Sequence, residues 1–137
     1  MPRFTFLDHH EDIIFNSFGQ DQKELFINSA LALMTYLYPK HVNFIDHEAK
    51  TKINIVAEDS KTLLVDWLEK LIELTDEGDL CYNEFQIKKI NNKEIEATIY
   101  GRRVRQKQKI KQIKYDNLKL EEKFGGFEAQ VSFDITD

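Results

Sequence analysis

The strongest constraint in this chain of 137 residues is a change of hydrophobic period at Gly78. Before it, Leu63, Leu64, Trp67, Leu68, Leu71 and Ile72 recur at i, i+1, i+4, i+5, i+8 and i+9. That spacing gathers all six on one stripe of an α-helix, and Asp59 or Ser60 stands where its N-cap belongs. After it, apolar residues fall at every second position, Phe85/Ile87 and then Ile95/Ala97/Ile99, around the turn Asn91-Asn92. A one-sided helix and one-sided strands hide their apolar faces only against each other, so the helix must lie on the sheet.

Both patterns recur elsewhere. From Asp21 to Tyr38, residues Leu25, Phe26, Ser29, Ala30, Leu33, Met34 and Leu37 share a helical face, and Pro39 stops the run. Phe4 to Phe18 reads as two short strands separated by an acidic turn and closed by Gly19. Lys52 to Ala57 alternates around Ile53 and Ile55. Ile113/Tyr115, Leu118/Leu120 and Phe127/Ala129/Val131/Phe133/Ile135 complete the strands, with Gly125-Gly126 as the last hairpin turn. The sum is an α+β fold, a two-layer sandwich. Two amphipathic helices pack on one face of a largely antiparallel β-sheet of seven or eight mostly hairpin-linked strands.

The length suits a single domain, 1–137, that buries roughly two-thirds of its unfolded surface. Ten Phe, five Tyr and one Trp supply an aromatic core, in which Met34 and Trp67 are expected. The lone Cys81 makes no internal disulfide, and no zinc-type Cys/His spacing exists, so a reduced, cytoplasmic setting is expected. The N-terminal residues lack an apolar signal core, and no run approaches membrane-spanning length. Net charge −5 and a pI near 5.4 argue against nucleic-acid binding over the whole surface, while leaving room for a local basic patch.

Three segments carry candidate chemistry. Asp8-His9-His10-Glu11-Asp12 puts three carboxylates and two imidazoles in five consecutive positions, directly after an apolar run. Those groups are ligands for a divalent cation and also acid–base groups; equally, they make a polar turn beside a first strand. In the closing strand, alternation sets Asp134 on the face opposite Phe133 and Ile135. It belongs to solvent unless the strand neighbours the first, where it would meet Asp8 or Asp12. Two carboxylates brought together repel unless a cation lies between them, and oxygen ligands favour calcium or magnesium. Between Arg102 and Lys114 stand seven cations in thirteen residues, Arg102, Arg103, Arg105, Lys107, Lys109, Lys111 and Lys114, with no acid among them. That stretch suits RNA phosphates or an acidic partner, and equally suits a solvated loop or a charged edge strand. No nucleophile elbow, P-loop, dinucleotide fingerprint or Cys–His motif is present, which argues against a free-standing enzyme.

Five blocks in order resemble the archease family. Phe6-Leu7-Asp8-His9-His10-Glu11-Asp12-Ile13 is similar to its F-x-D-H-T-A-D-I opening. Gly19 through Met34, with Asn28-Ser29-Ala30-Leu31-Ala32-Leu33, is similar to its first helix. Leu63-Leu64-Val65-Asp66-Trp67-Leu68-Glu69-Lys70-Leu71 resembles its L-L-V-x-W-L-N-x-L helix. Ile110-Lys111-Gln112-Ile113-Lys114-Tyr115 resembles its V-K-A-x-T-Y strand. Gly126-Phe127 through Phe133-Asp134-Ile135 resembles its ending, G-W-x-A-x-V-x-F-D-I.

The resemblance implies a protein cofactor of RtcB-type RNA ligases, which join 3′-phosphate or 2′,3′-cyclic phosphate ends to 5′-hydroxyl ends in tRNA splicing and RNA repair. Such a cofactor promotes guanylylation of the ligase histidine and multiple turnover without joining RNA itself, so contact with tRNA or broken RNA is indirect. It also implies a metal site from Asp12 and Asp134 with an oxygen of Ile135, holding calcium (or magnesium or manganese), and a functional lysine, Lys111. Asp8, His9 and Asp137 are further acidic-patch candidates, and Arg102, Arg103, Arg105, Lys107 and Lys109 are candidate RNA or partner contacts. The chain departs from the family pattern at His10, Glu11, Ile14, Lys114 and Asp116. Thr136-Asp137 extends past the usual end, so Ile135 has no free carboxylate and Asp137 is the residue that can replace it. The rival readings are an RNA-binding module using 102–114 and a metal-dependent hydrolase.

Overall fold

The computed structural model describes residues 3–7, 12–39, 42–104, 110–113, 118–123 and 125–135, with positions 12, 110–112 and 135 described by backbone alone. The elements run β1 (Phe4–Leu7), β2 (Asp12–Gly19), α1 (Gln22–Leu37), β3 (Ala49–Val56), α2 (Ser60–Gly78), β4 (Leu80–Ile90), β5 (Glu94–Arg103), β6 (Ile110–Ile113), β7 (Lys119–Lys123) and β8 (Gly126–Ile135). This is the expected α+β fold, and among the described residues every strand pairing is antiparallel.

Both helices start on an aspartate. Asp21 and Asp59 are extended, and each carboxylate accepts the backbone N–H three residues on, from Glu24 and Thr62, at 2.8 Å. That satisfies one of the amide groups a helix start leaves without a partner. At the far end of α2 the chain reverses on Asp79, which takes the left-handed conformation (φ 52°) and donates its N–H to the Thr75 carbonyl. Aspartate is among the few residues besides glycine that tolerate this geometry. The reversal starts β4 at Leu80, five residues before the alternation at Phe85 is visible, because a register shift between Tyr82 and Glu84 interrupts the period.

The strands divide into two sheets. The first has the order β1-β2-β8-β6, with β7 also on β8; the second has the order β3-β5-β4. The hairpin β4–β5 closes at 91–93, where Asn91 donates its N–H to the Glu94 carbonyl and accepts one from Lys93. Helix α1 packs on β1, β2 and β8 of the first sheet and on β4 of the second. Helix α2 packs on β3, β4 and β5 and reaches β6 and β7. Between them lies the core, with Phe15, Leu25, Phe26, Met34, Leu63, Trp67, Leu71, Ile99 and Phe133 among its fully buried side chains. No helix among the described residues is long and apolar enough to cross a membrane.

Gly19 joins β2 to α1 where two backbones touch. A Cβ on Gly19 would overlap the backbone nitrogen of Leu25, and one on Gly126 would stand 2.5 Å from the Gly19 carbonyl oxygen. Gly19→Ala is therefore expected to cost about 1–3 kcal/mol through forced backbone displacement. Urea unfolding checks this, and an unchanged midpoint would contradict the close approach.

Candidate functional site

Strand β8 is central to the candidate site because it lies between β2 and β6 in the first sheet. Ala129, Val131 and Phe133 are buried against the helices, and Phe133 meets both Phe15 of β2 and Tyr36 of α1 with ring centroids 6.0 and 5.3 Å apart. These contacts lock the register of β2 on β8, since a slip of one residue would turn the whole apolar set to the wrong face. With Phe15 opposite Val131 and Ile13 opposite Phe133, the ladder sets Asp12 directly opposite Asp134. Directly opposed positions of an antiparallel pair share one face, with Cβ atoms about 5 Å apart. The ends of the chain thus bring two acidic positions together.

The other edge of β8 supplies the third member. Ile113 lies opposite Phe133, Gln112 opposite Asp134 and Ile110 opposite Ile135. Lys111 is the extra residue at the register shift between Ile110 and Gln112. Such a bulge bends its strand and breaks the ladder locally. Asp12, Asp134 and Lys111 therefore occupy adjacent strands at one end of the first sheet, and Ile135 ends the central strand beside them. Asp134 is half-buried there.

The remaining sequence candidates fall elsewhere. Asp8, His9 and Asp137 lie outside the described residues, as do Arg105, Lys107 and Lys109. Arg102 and Arg103 end β5, in the second sheet, whereas Lys111 is in the first. The guanidinium of Arg102 lies 5.6 Å from the centre of the Phe44 ring, a cation–π contact. The backbone N–H of Arg103 donates to the Glu48 carboxylate at 3.4 Å. The basic stretch thus begins at the end of β5 in the second sheet and re-enters in β6 of the first. Gln112, the immediate neighbour of Asp134, was not anticipated. Nothing in its local sequence marks it, because only cross-strand register brings it there.

The donor set suits a hard divalent cation. Aspartate stands at both of the opposed register positions, 12 and 134, and carboxylate oxygens are ligands of the kind calcium and magnesium accept. Among the described residues no cluster of three or more His, Cys, Asp or Glu side chains is present.

Against this geometry, the model of the archease protein family matches residues 4–135. The chain belongs to the archease family. Among its relatives, the protein archease of Methanosarcina mazei is 30% identical over 142 residues, covering 97% of this chain and 96% of that protein. The archease of Pyrococcus abyssi is 26% identical over 144 residues, covering 98% and 100%. Two solved structures share the fold. The solution structure of protein 1598 from Methanobacterium thermoautotrophicum has a TM-score of 0.83 at 24% identity, covering 98% of this chain and 100% of that one. The crystal structure of an archease from Thermotoga maritima, described as a "possible chaperone", has a TM-score of 0.69 at 22% identity, covering 93% and 94%. The archease match takes in both edges of the candidate site, since β2, β6 and β8 all lie within residues 4–135.

Proposed function

We propose that this archease acts as a non-catalytic activator of an RtcB-type RNA ligase, promoting its guanylylation and repeated turnover in tRNA splicing or RNA repair. The observation that carries this reading is the meeting of Asp12, Asp134 and Lys111 on three neighbouring strands of an archease-family chain. Carboxylates at 12 and 134 repel one another, and that repulsion makes the position receptive to a cation. When bound, a divalent cation, calcium by preference with magnesium or manganese as substitutes, offsets that charge and attracts phosphate oxygens. Residues 12 and 134, with a main-chain oxygen of Ile135, would hold it. The Lys111 ammonium supplies a single positive charge and three donors. Its task in this reading is to hold a nucleotide phosphate or a ligase carboxylate, while the bulge keeps its backbone out of the regular ladder.

A cytoplasmic setting fits this role. The test is RNA joining by a cognate RtcB-type ligase, substoichiometric to RNA, with GTP and metal, in the presence and absence of this protein. Sustained turnover only in its presence is the expected result. An active ligase indifferent to the folded protein would overturn the proposal. Salt-sensitive binding of RNA by the isolated protein, or hydrolysis of phosphate esters by it, would instead favour an RNA-binding module or a metal-dependent hydrolase.

A further inference from the structure

The outward face of the second sheet carries rings and cations in turn. The helices pack against its other face, where Ile53, Phe85 and Ile99 are buried and Phe85 meets Trp67 of α2. Alternation then sets Lys50, Lys52, Thr98, Tyr100 and Arg102 outward. Lys50 lies directly opposite Tyr100 and Lys52 opposite Thr98, with Cβ atoms about 5 Å apart. Segment 42–48 folds onto the end of this face. The Arg102 guanidinium is 5.6 Å from the centre of the Phe44 ring, and Phe44 meets His47 edge-on at 5.6 Å. His47 in turn meets Tyr100 at 5.7 Å, with the rings tilted by 48°. The run is cation, three rings, cation.

This platform is held in place. Asn83 is the extra residue at a register shift in β4, and its Nδ2 donates to the carbonyls of Val42 and Phe44 at 2.7 and 2.8 Å. Its Oδ1 then accepts from His47, whose Nε2 lies 2.8 Å away, so that nitrogen carries the proton and Nδ1 stays an acceptor. The cations are available as well. Among the described ion pairs none takes Lys50, Lys52 or Arg102, and both lysines are exposed. Glu84 flanks Tyr100 from β4, so the positive side of the face is β3.

We propose that this face binds single-stranded RNA, with bases stacked on Tyr100 and His47 and phosphates along Lys50, Lys52 and Arg102. Open sheets with rings set among cations suit single strands, because every base has a π-face and every linkage a charge. An acidic protein surface would use the cations but leave the rings idle. The RNA itself comes from the activator reading, on which this contact rests, and the contact is direct where that reading needs none. Arg103 and Ile110 are seven residues apart, a reach of at most about 25 Å. A strand leaving the ligase centre beside Lys111 therefore has this face within range. Three cations on a chain of net charge −5 hold RNA weakly alone. The contact counts once the ligase has fixed the RNA nearby and raised its effective concentration.

The test is RNA joining by the ligase at saturating activator, with the RNA concentration varied. Tyr100→Ala is expected to raise KM for RNA about tenfold, the loss of one stacked base, and to leave kcat unchanged. Tyr100→Phe keeps the ring and should keep the wild-type KM. Lys50→Glu combined with Lys52→Glu should raise KM and flatten its salt dependence, whereas Lys70→Glu, on α2, should do neither. RNA carrying 5-iodouridine, irradiated in the same mixture, should cross-link to Tyr100 or His47. An unchanged KM in both Tyr100→Ala and the double lysine variant would overturn the proposal. So would a fall in kcat at unchanged KM, which would make the face a ligase contact. Both results leave the activator reading standing, because wild-type protein still supports turnover. If the ligase ignores the wild-type protein, the activator reading fails and the cross-link decides the face, its presence supporting RNA and its absence overturning it. Circular dichroism of each variant verifies that the fold is intact.

Discussion

Asp12→Ala and Asp134→Ala are each expected to return ligase turnover to the level seen without the activator, and the double variant is expected to do no worse than either. Two residues that act as one unit lose that function once, whichever is removed. The expectation follows from the ladder, in which positions 12 and 134 are direct partners. Thermal unfolding of each variant checks that lost turnover is not lost folding. Glu128→Ala, at the opposite end of the same strand beside Lys123, serves as the control that leaves turnover unchanged. Full activation by Asp12→Ala would remove the acidic pair from the mechanism. Additive partial losses would mean that the two carboxylates work at separate places.

The largest expected effect on stability belongs to Trp67. Its side chain is fully buried, its indole N–H donates to the Phe26 carbonyl at 3.0 Å, and its ring contacts Phe26 on one side and Phe85 on the other. It joins α1, α2 and β4 at a single point. Trp67→Ala is expected to cost about 3–5 kcal/mol from lost burial and the cavity left behind. For a chain of this length that corresponds to a fall in Tm of roughly 10–20 °C. Trp67→Phe keeps the ring contact but leaves the Phe26 carbonyl without the indole donor, and should cost clearly less than the alanine variant. Calorimetry decides between them. Equal losses would mean that the hydrogen bond, rather than the packed volume, dominates at this position.

The candidate site was only partly legible in the sequence. The acidic run Asp8 to Asp12 stood out after an apolar run and Asp134 within an alternating strand, and the family resemblance singled out Asp12, Asp134 and Lys111. Their meeting was an open alternative, since nothing local says which strands become neighbours. Gln112 carried no signal at all. The basic stretch shows the converse. Its charge run is conspicuous in one dimension, yet Arg102 belongs to the second sheet and packs over Phe44, while Lys111 belongs to the first.

What the sequence by itself determined was local: two helices, the first stopped at Pro39 and the second capped at Asp59 or Ser60, the alternating strands, the identity of the buried face, and an α+β fold to reconcile them. Period and capping act over a few residues, through side chains that see only their own turn or strand. Tertiary structure alone decided the division into two sheets, the bulge at Lys111, the pairing of Asp12 with Asp134, and the open edge of β1. Each of these depends on which distant strand lies alongside and in what register. That choice is made by packing of Phe15, Phe133 and Tyr36 across the core, where a shift of one residue would exchange the buried and solvent faces.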